Sequence, residues 1–359
     1  MKLLAIVLAA ALSASSAAAQ SGALNAAPAT CRADLERLCA SATDDPSLRT
    51  CVREHFAQLS ASCRQSIRAM RAERQEQATS PSPDQEEAGR STDAPSIAPT
   101  RANLLYRDAP AGVPESAVSL DFYAAKGTGS APLVVFVHGG SWQRGDKRGG
   151  ERGHPGIFTQ AGYAYASVNY RLLQYGRPEI AAGDIAAAIA YLRARAELLN
   201  VDPDRIVLMG HSAGAHLAAL TALDTRYLTD HSVAPSSVRA LVLLDGAGYD
   251  IARQVADGGN GVLYRQVFGD DEAYWRRMSP LTYAGRPRAP AILAHHVSTR
   301  RDSGAQSQAL VDAVRGAGGR AEIHAAENET HASINRGFGE SGDETTARTM
   351  QFLAEIVDR

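Results

Sequence analysis

From Arg101 onward the chain alternates short apolar runs with longer stretches of helical period. The runs Val118–Tyr123, Leu133–Val137, Ala164–Asn169, Arg205–Met209, Ala240–Leu244, Ala291–His295 and Ala321–Ala325 predict strands. Ile180–Leu199, Ala213–Leu223, Gln306–Gly316 and Glu344–Val357 predict helices between and after them. That alternation predicts an α/β domain over residues 101–359, with a mostly parallel sheet flanked by helices. Leu133-Val134-Val135-Phe136-Val137 and Leu241-Val242-Leu243-Leu244 lack any polar alternation, as expected of strands covered on both faces. Sheets of this kind carry their sites at the carboxyl ends of the strands, so the chemistry is sought there.

The first hundred residues follow another pattern. Met1-Lys2, the apolar run Leu3–Leu12 and Ala17-Ala18-Ala19 predict a cleavable secretory leader over residues 1–19, too short in its apolar core to span a bilayer. Residues 28–74 hold two helix-like stretches, Ala29–Ala40 and Ser47–Arg74, around the turn Thr43-Asp44-Asp45-Pro46. Residues 75–100 are mostly Gln, Glu, Ser, Pro, Thr and Ala without apolar period, which predicts a flexible linker. No other segment is apolar enough to predict a membrane span.

Composition sharpens this division. The four cysteines, Cys31, Cys39, Cys51 and Cys63, all lie in the helical module, and the rest of the 359 residues has none. Their even number and crowding predict disulfides, an oxidising compartment and hence a secreted or periplasmic protein. Two antiparallel helices favour the nested pairing of Cys39 with Cys51 and Cys31 with Cys63, although spacing alone allows three pairings. No pair has the close spacing of a structural zinc site. A formal net charge of −2 argues against nucleic acid as a partner, because phosphate binding needs surplus positive charge.

Candidate chemistry sits after two of the predicted strands. Gly210-His211-Ser212-Ala213-Gly214 joins a strand directly to a helix, a sharp turn that needs small flanking residues and lifts the Ser212 hydroxyl to the positive end of the helix. Ser212 is the candidate nucleophile. His138-Gly139-Gly140-Ser141-Trp142 follows the buried strand, and its glycines let backbone N–H groups approach a developing oxyanion. The amides of Gly140, Ser141 and Ala213 are the candidate donors. His138 is expected to brace this loop, and Trp142 either lines an acyl pocket or packs beneath the loop.

H-G-G-S-W, Asn169-Tyr170-Arg171-Leu172 and G-H-S-A-G, in this order, resemble the α/β-hydrolase fold family, in its carboxylesterase and lipase branch with kynurenine-formamidase-like and BD-FAE-like enzymes. The resemblance covers residues 101–359 and implies a serine esterase acting through an acyl-enzyme on a small-molecule ester, with neither metal nor organic cofactor. An amidase or arylformamidase of the same fold, or an inactive binding protein on the same scaffold, are the alternatives. In the family the acid and histidine follow the serine, after the last strands. His331, in the polar loop after Ala321–Ala325, is the candidate base, while His324, His211 and His216 have structural explanations.

The acid is less plain, because the usual family position falls near Ser298 or Thr299. The only carboxylate in that loop is Asp302, which is the candidate acid through a rearranged loop, with Asp245 at the end of the preceding strand as its rival. Asp146 is expected to brace its loop through an ion pair, and the insertion 246–289, with Tyr249, Tyr264, Tyr274 and Trp275, to wall or cover the pocket. The cysteine module resembles the cysteine-rich repeats of a Golgi glycoprotein family; a stabilising appendage is the expectation, and contact with a cell wall or a partner protein the alternative.

Overall fold

The computed structural model describes residues 29–40, 42, 45–64, 66–67, 97–150, 153–256, 261–286 and 289–357. The expected leader, the linker up to residue 96 and the end of the second cysteine helix lie outside the described residues. The chain divides into two compact units, Met1–Ser91 and Thr92–Arg359.

In the first unit, Cys31 and Cys39 flank helix Arg32–Leu38, Cys51 lies in helix Asp45–Glu54, and Cys63 follows that helix. The pairing is nested: Cys31 bonds Cys63 and Cys39 bonds Cys51, closing spans of 32 and 12 residues. Leu35, Leu48, Leu59 and Ile67 pack around the bridges. Such a small apolar cluster gains roughly 3–4 kcal/mol from each bridge through the lost freedom of the unfolded chain.

The second unit is an eight-stranded sheet in the order β1-β2-β4-β3-β5-β6-β7-β8. β1 (Arg101–Leu105) and β2 (Ser119–Tyr123) are antiparallel to their neighbours. β3 (Ala131–Val137), β4 (Ala164–Val168), β5 (Val201–His211), β6 (Val238–Leu244), β7 (Ala291–Val297) and β8 (Ala321–Ala326) run parallel. Every residue of β3 is buried, because its two faces meet different layers. Leu133, Val135 and Val137 face the core shared with helices Pro178–Arg193, Ala213–Leu223 and Arg301–Gly316. Val134 and Phe136 face Phe158, Phe338, Phe352 and Leu353 on the other side. Each such aliphatic or aromatic side chain contributes about 1.5–3 kcal/mol by leaving water.

All seven strands expected from the apolar runs are present, within a few residues of the expected ends. β1 escaped the sequence reading because it is an edge strand whose residues are almost all exposed, so it lacks the apolar run that marks the others. The last sheet-covering helix but one starts at Arg301, five residues before the expected Gln306, a difference that decides where Asp302 lies.

Register sets the site. His211 of β5 pairs with Leu244 of β6, Leu244 with His295 of β7, and His295 with His324 of β8. On the other side of β5, Val137 of β3 pairs with Gly210. The strands therefore end in one row, and Ser212, Asp245, the turn after β7 and the loop after β3 emerge side by side.

Candidate active site

Ser212 stands between β5 and helix Ala213–Leu223 with φ 56° and ψ −122°, a conformation that costs on the order of 1–3 kcal/mol for a non-glycine residue. The flanking glycines make it attainable. A Cβ on Gly210 would lie 2.4 Å from the Gly214 carbonyl oxygen, and one on Gly214 would lie 2.1 Å from that of Val137. The Ser212 amide donates to the Leu244 carbonyl at 3.0 Å, which pins the turn to the neighbouring strand.

His331 comes from the loop after β8 and reaches the serine: its Nε2 lies 2.9 Å from Ser212 Oγ. Its Nδ1 donates to Asp245 Oδ2 at 2.6 Å. Asp245 is the residue after β6; its amide donates to the His295 carbonyl at 2.8 Å, and its Oδ1 accepts the Val297 amide at 3.1 Å. Its side chain is 0% exposed. Burial alone would raise its pKa, but the His331 hydrogen bond and the Arg300 charge outweigh burial and hold the carboxyl well below the usual range. Arg300 Nη1 pairs with Asp245 Oδ2 as well and lies 2.5 Å from His331 Nδ1.

Asp302, expected as the acid, is not brought to His331. Helix Arg301–Gly316 begins before it, so Asp302 sits in the first helical turn with a side chain 35% exposed, 4.0 Å from Arg300 Nη2. The rearranged loop expected to deliver it does not exist, since only residues 298–300 separate β7 from the helix. Asp245 occupies the place beside the imidazole instead.

The other histidines are committed to the framework. Burial pushes His211 down to about 3, and its ring nitrogen Nε2 donates to the His331 carbonyl at 2.7 Å, which fixes the histidine loop. His138 is pushed down to about 4 by burial, donates through Nδ1 to Gly139 O at 2.7 Å and stacks on Tyr170. The Tyr170 hydroxyl donates to the His138 carbonyl at 2.9 Å. This is the bracing expected of His138. His324 lies in β8 with its Nδ1 3.0 Å from that of the buried His295.

The loop after β3 runs against the serine turn, since a Cβ on Gly139 would lie 3.1 Å from Ser212 Cβ. Gly140, Ser141 and Trp142 have φ of 118°, 55° and 60°, three left-handed residues in succession. Gly140 is obligatory there because a Cβ would fall 2.0 Å from the Arg144 carbonyl oxygen. Trp142 packs beneath the loop: it is buried, donates from Nε1 to His216 Nδ1 at 3.2 Å, and meets Tyr264 and Phe268 edge-on. His216, neutral because burial pushes it down to about 4, passes the contact on by donating from Nε2 to the Met278 carbonyl at 2.8 Å.

Among the described residues Asp146 makes no ion pair; its carboxylate accepts the Arg148 amide at 2.8 Å, and Lys147 forms a buried pair with Asp121. Sequence reasoning missed Lys147 and Arg300 because a partner many residues away leaves no local signal.

In the insertion, helices Ile251–Ala256, Gly261–Phe268, Glu272–Met278 and Leu281–Ala284 bury Tyr249, Tyr264, Tyr274 and Trp275. Tyr264 and Phe268 pack the insertion onto Trp142. A cleft of about 720 Å³ opens within it, bordered by Asp250, Arg265, Trp275 and Ser279, and holds none of Ser212, His331 or Asp245. Among the described residues no group of three or more His, Cys, Asp or Glu is placed to hold a metal ion. Among them, too, no helix is long and apolar enough to cross a membrane.

Residues 120–314 match the BD-FAE family. The chain belongs to that family. Among curated proteins, this BD-FAE member is 29% identical over 250 residues to isoprenylcysteine alpha-carbonyl methylesterase ICME of Arabidopsis thaliana, covering 65% of the chain and 57% of the relative. It is 26% identical over 242 residues to a probable carboxylic ester hydrolase, LipM, of Mycobacterium tuberculosis, covering 64% of the chain and 55% of the relative. The chain thus spans about half the length of the curated relatives it matches. Among solved structures, esterase 2 of Thermogutta terrifontis phosphoramylated by tabun superposes with a TM-score of 0.58 at 23% identity, over 73% of this chain and 96% of that one. A truncated carbohydrate esterase from gut microbiota gives 0.61 at 21% identity, over 75% and 100%. The BD-FAE member therefore has the α/β-hydrolase fold.

Proposed function

We propose that this BD-FAE member is a secreted or periplasmic serine hydrolase that cleaves carboxylic esters, with Ser212 as nucleophile, His331 as base and Asp245 as acid. The observation that carries the reading is the unbroken relay from Ser212 Oγ to His331 Nε2 at 2.9 Å and from Nδ1 to Asp245 Oδ2 at 2.6 Å. The esterase names of the relatives support an ester over an amide substrate. The two disulfides support an oxidising compartment.

With Nδ1–H held by Asp245, the lone pair of His331 Nε2 faces the serine. Ser212 Oγ gives its proton to Nε2 as it bonds the ester carbonyl carbon, and the imidazolium is stabilised by the Asp245 carboxylate. The amides of Gly140, Ser141 and Ala213 take the oxyanion. The C–O bond to the alcohol breaks as Nε2 returns the proton to the leaving oxygen. Water then gives a proton to Nε2, adds to the acyl carbon, and releases the acid as Ser212 Oγ recovers its proton. Neither a metal nor an organic cofactor enters. In this reading residues 28–74 form a stabilising cysteine module, residues 75–100 a linker and residues 101–359 the catalytic domain.

A fluorophosphonate probe should label the purified protein and fail to label Ser212→Ala, with p-nitrophenyl acetate hydrolysis lost in parallel. Equal labelling of both, or none of either, overturns the reading. Turnover of N-formyl anilides in preference to p-nitrophenyl esters would instead assign an amidase.

A further inference from the structure

A carboxylate whose side chain is wholly enclosed needs a compensating charge, and the base of a serine hydrolase cannot supply it in the resting state, because it must be neutral to accept a proton. Asp245 is such a carboxylate. Arg300, on the short turn between β7 and the following helix, pairs through Nη1 with the same Oδ2 that takes the His331 Nδ1–H. Its backbone amide donates to the Val297 carbonyl at 2.9 Å, and its side chain is 28% exposed, so the guanidinium is held between the turn and the pair. An arginine keeps its charge at every pH a protein survives.

The groups that face this pair come from every neighbouring element. His211 and Ser212 lie at the end of β5, Asp302 in the helix after Arg300, and Tyr249 and Tyr264 in the insertion. Burial keeps His211 neutral and both tyrosines protonated. Arg300 is therefore the fixed positive charge among them. A fixed cation at this point opposes any further proton on the pair, whether on the carboxylate or on the ring.

Resting on the serine-hydrolase reading above, we propose that Arg300 is a positioning residue of the triad that keeps Asp245 ionised and aimed at His331, and so carries activity towards acid pH. It stands in the turn where the family resemblance puts the acid, and it acts on an acid supplied by the neighbouring strand.

The test is the pH profile of kcat/KM for p-nitrophenyl acetate in the full chain and in Arg300→Gln and Arg300→Lys. Removing the charge should move the acid limb to higher pH by at least about one unit, a tenfold loss against wild type on the acid side once each profile is scaled to its own plateau. Arg300→Lys, which keeps the charge, should restore the limb to within about 0.3 unit of wild type. A purely structural arginine would lower the melting temperature without moving the limb. Superposable limbs for wild type and Arg300→Gln overturn the inference, as does a Lys variant displaced as far as the Gln variant. Should Arg300→Gln not fold, a limb in Arg300→Lys displaced by a unit or more is the overturning result. A wild type without turnover or serine labelling instead refutes the hydrolase reading itself.

Discussion

Replacing Asp245 by asparagine tests the assignment that the structure changed. The carboxylate has acceptors on two sides: Oδ1 takes the Val297 amide, and Oδ2 takes both His331 and Arg300. An amide has one oxygen, so two orientations compete. With the NH2 towards His331, the imidazole must accept at Nδ1, its proton moves to Nε2, and the lone pair facing Ser212 is gone. That error of tautomer costs a serine hydrolase about 10⁴ in kcat, or about 5.4 kcal/mol. With the oxygen towards His331 the tautomer survives, but the imidazolium then forms beside Arg300 without the carboxylate that attracts it. Losing the attraction of opposite charges about 4 Å apart at an effective dielectric constant of about 20 costs about 4 kcal/mol, which is about 10³ in rate. Either way Asp245→Asn should lose about 10³–10⁴ in kcat for p-nitrophenyl acetate, with a circular dichroism melt verifying the fold. Asp302→Asn loses only a half-exposed contact to Arg300 at 4.0 Å, worth about 0–1 kcal/mol, and should stay within about fivefold of wild type. A loss beyond a hundredfold in Asp302→Asn, with Asp245→Asn keeping a tenth or more of its activity, would refute the reasoning.

Two further outcomes follow from packing and burial. Gly214→Ala puts a Cβ 2.1 Å from one backbone carbonyl oxygen and 2.5 Å from another, so it should destabilise by about 3 kcal/mol and lower the melting temperature by about 6–10 °C. Gly183→Ala, in a helix with nothing within 4 Å, should instead stabilise by about 0.4–1 kcal/mol; equal melting temperatures for the two variants would contradict the account of the serine turn. His138, His154 and His216 are pushed down from 6.5 to about 4 by burial, so the unfolded chain takes up protons that the fold refuses. Stability should fall as pH drops from 6.5 towards about 4, by about 1.4 kcal/mol per pH unit for each histidine, and a urea midpoint no lower at pH ~5 than at pH ~7.5 would count against it.

The chain's own order was enough for whatever rests on neighbours in sequence. Apolar runs marked β3 and the end of β6 most plainly, because a strand buried on both faces has no polar positions to interrupt it. The glycines around Ser212 and after His138 were legible because a left-handed or crowded backbone demands them wherever the rest of the chain lies. His331 stood out as the histidine of a polar loop beyond the last strand, and the two antiparallel helices already favoured the nested disulfides. The carboxylate beside His331 depended on contacts across the fold. Asp245 and His331 are 86 residues apart, and Asp302 was excluded by a helix that starts a turn earlier than its apolar period suggests, because its first residues are polar. Asp245, Arg300 and His331 meet because β5, β6, β7 and β8 end in register, which depends on hydrogen bonds between strands and leaves no trace in local pattern. Sequence thus determined which elements form and which backbone turns are possible, and only the tertiary structure decided which charges face one another at the ends of those elements.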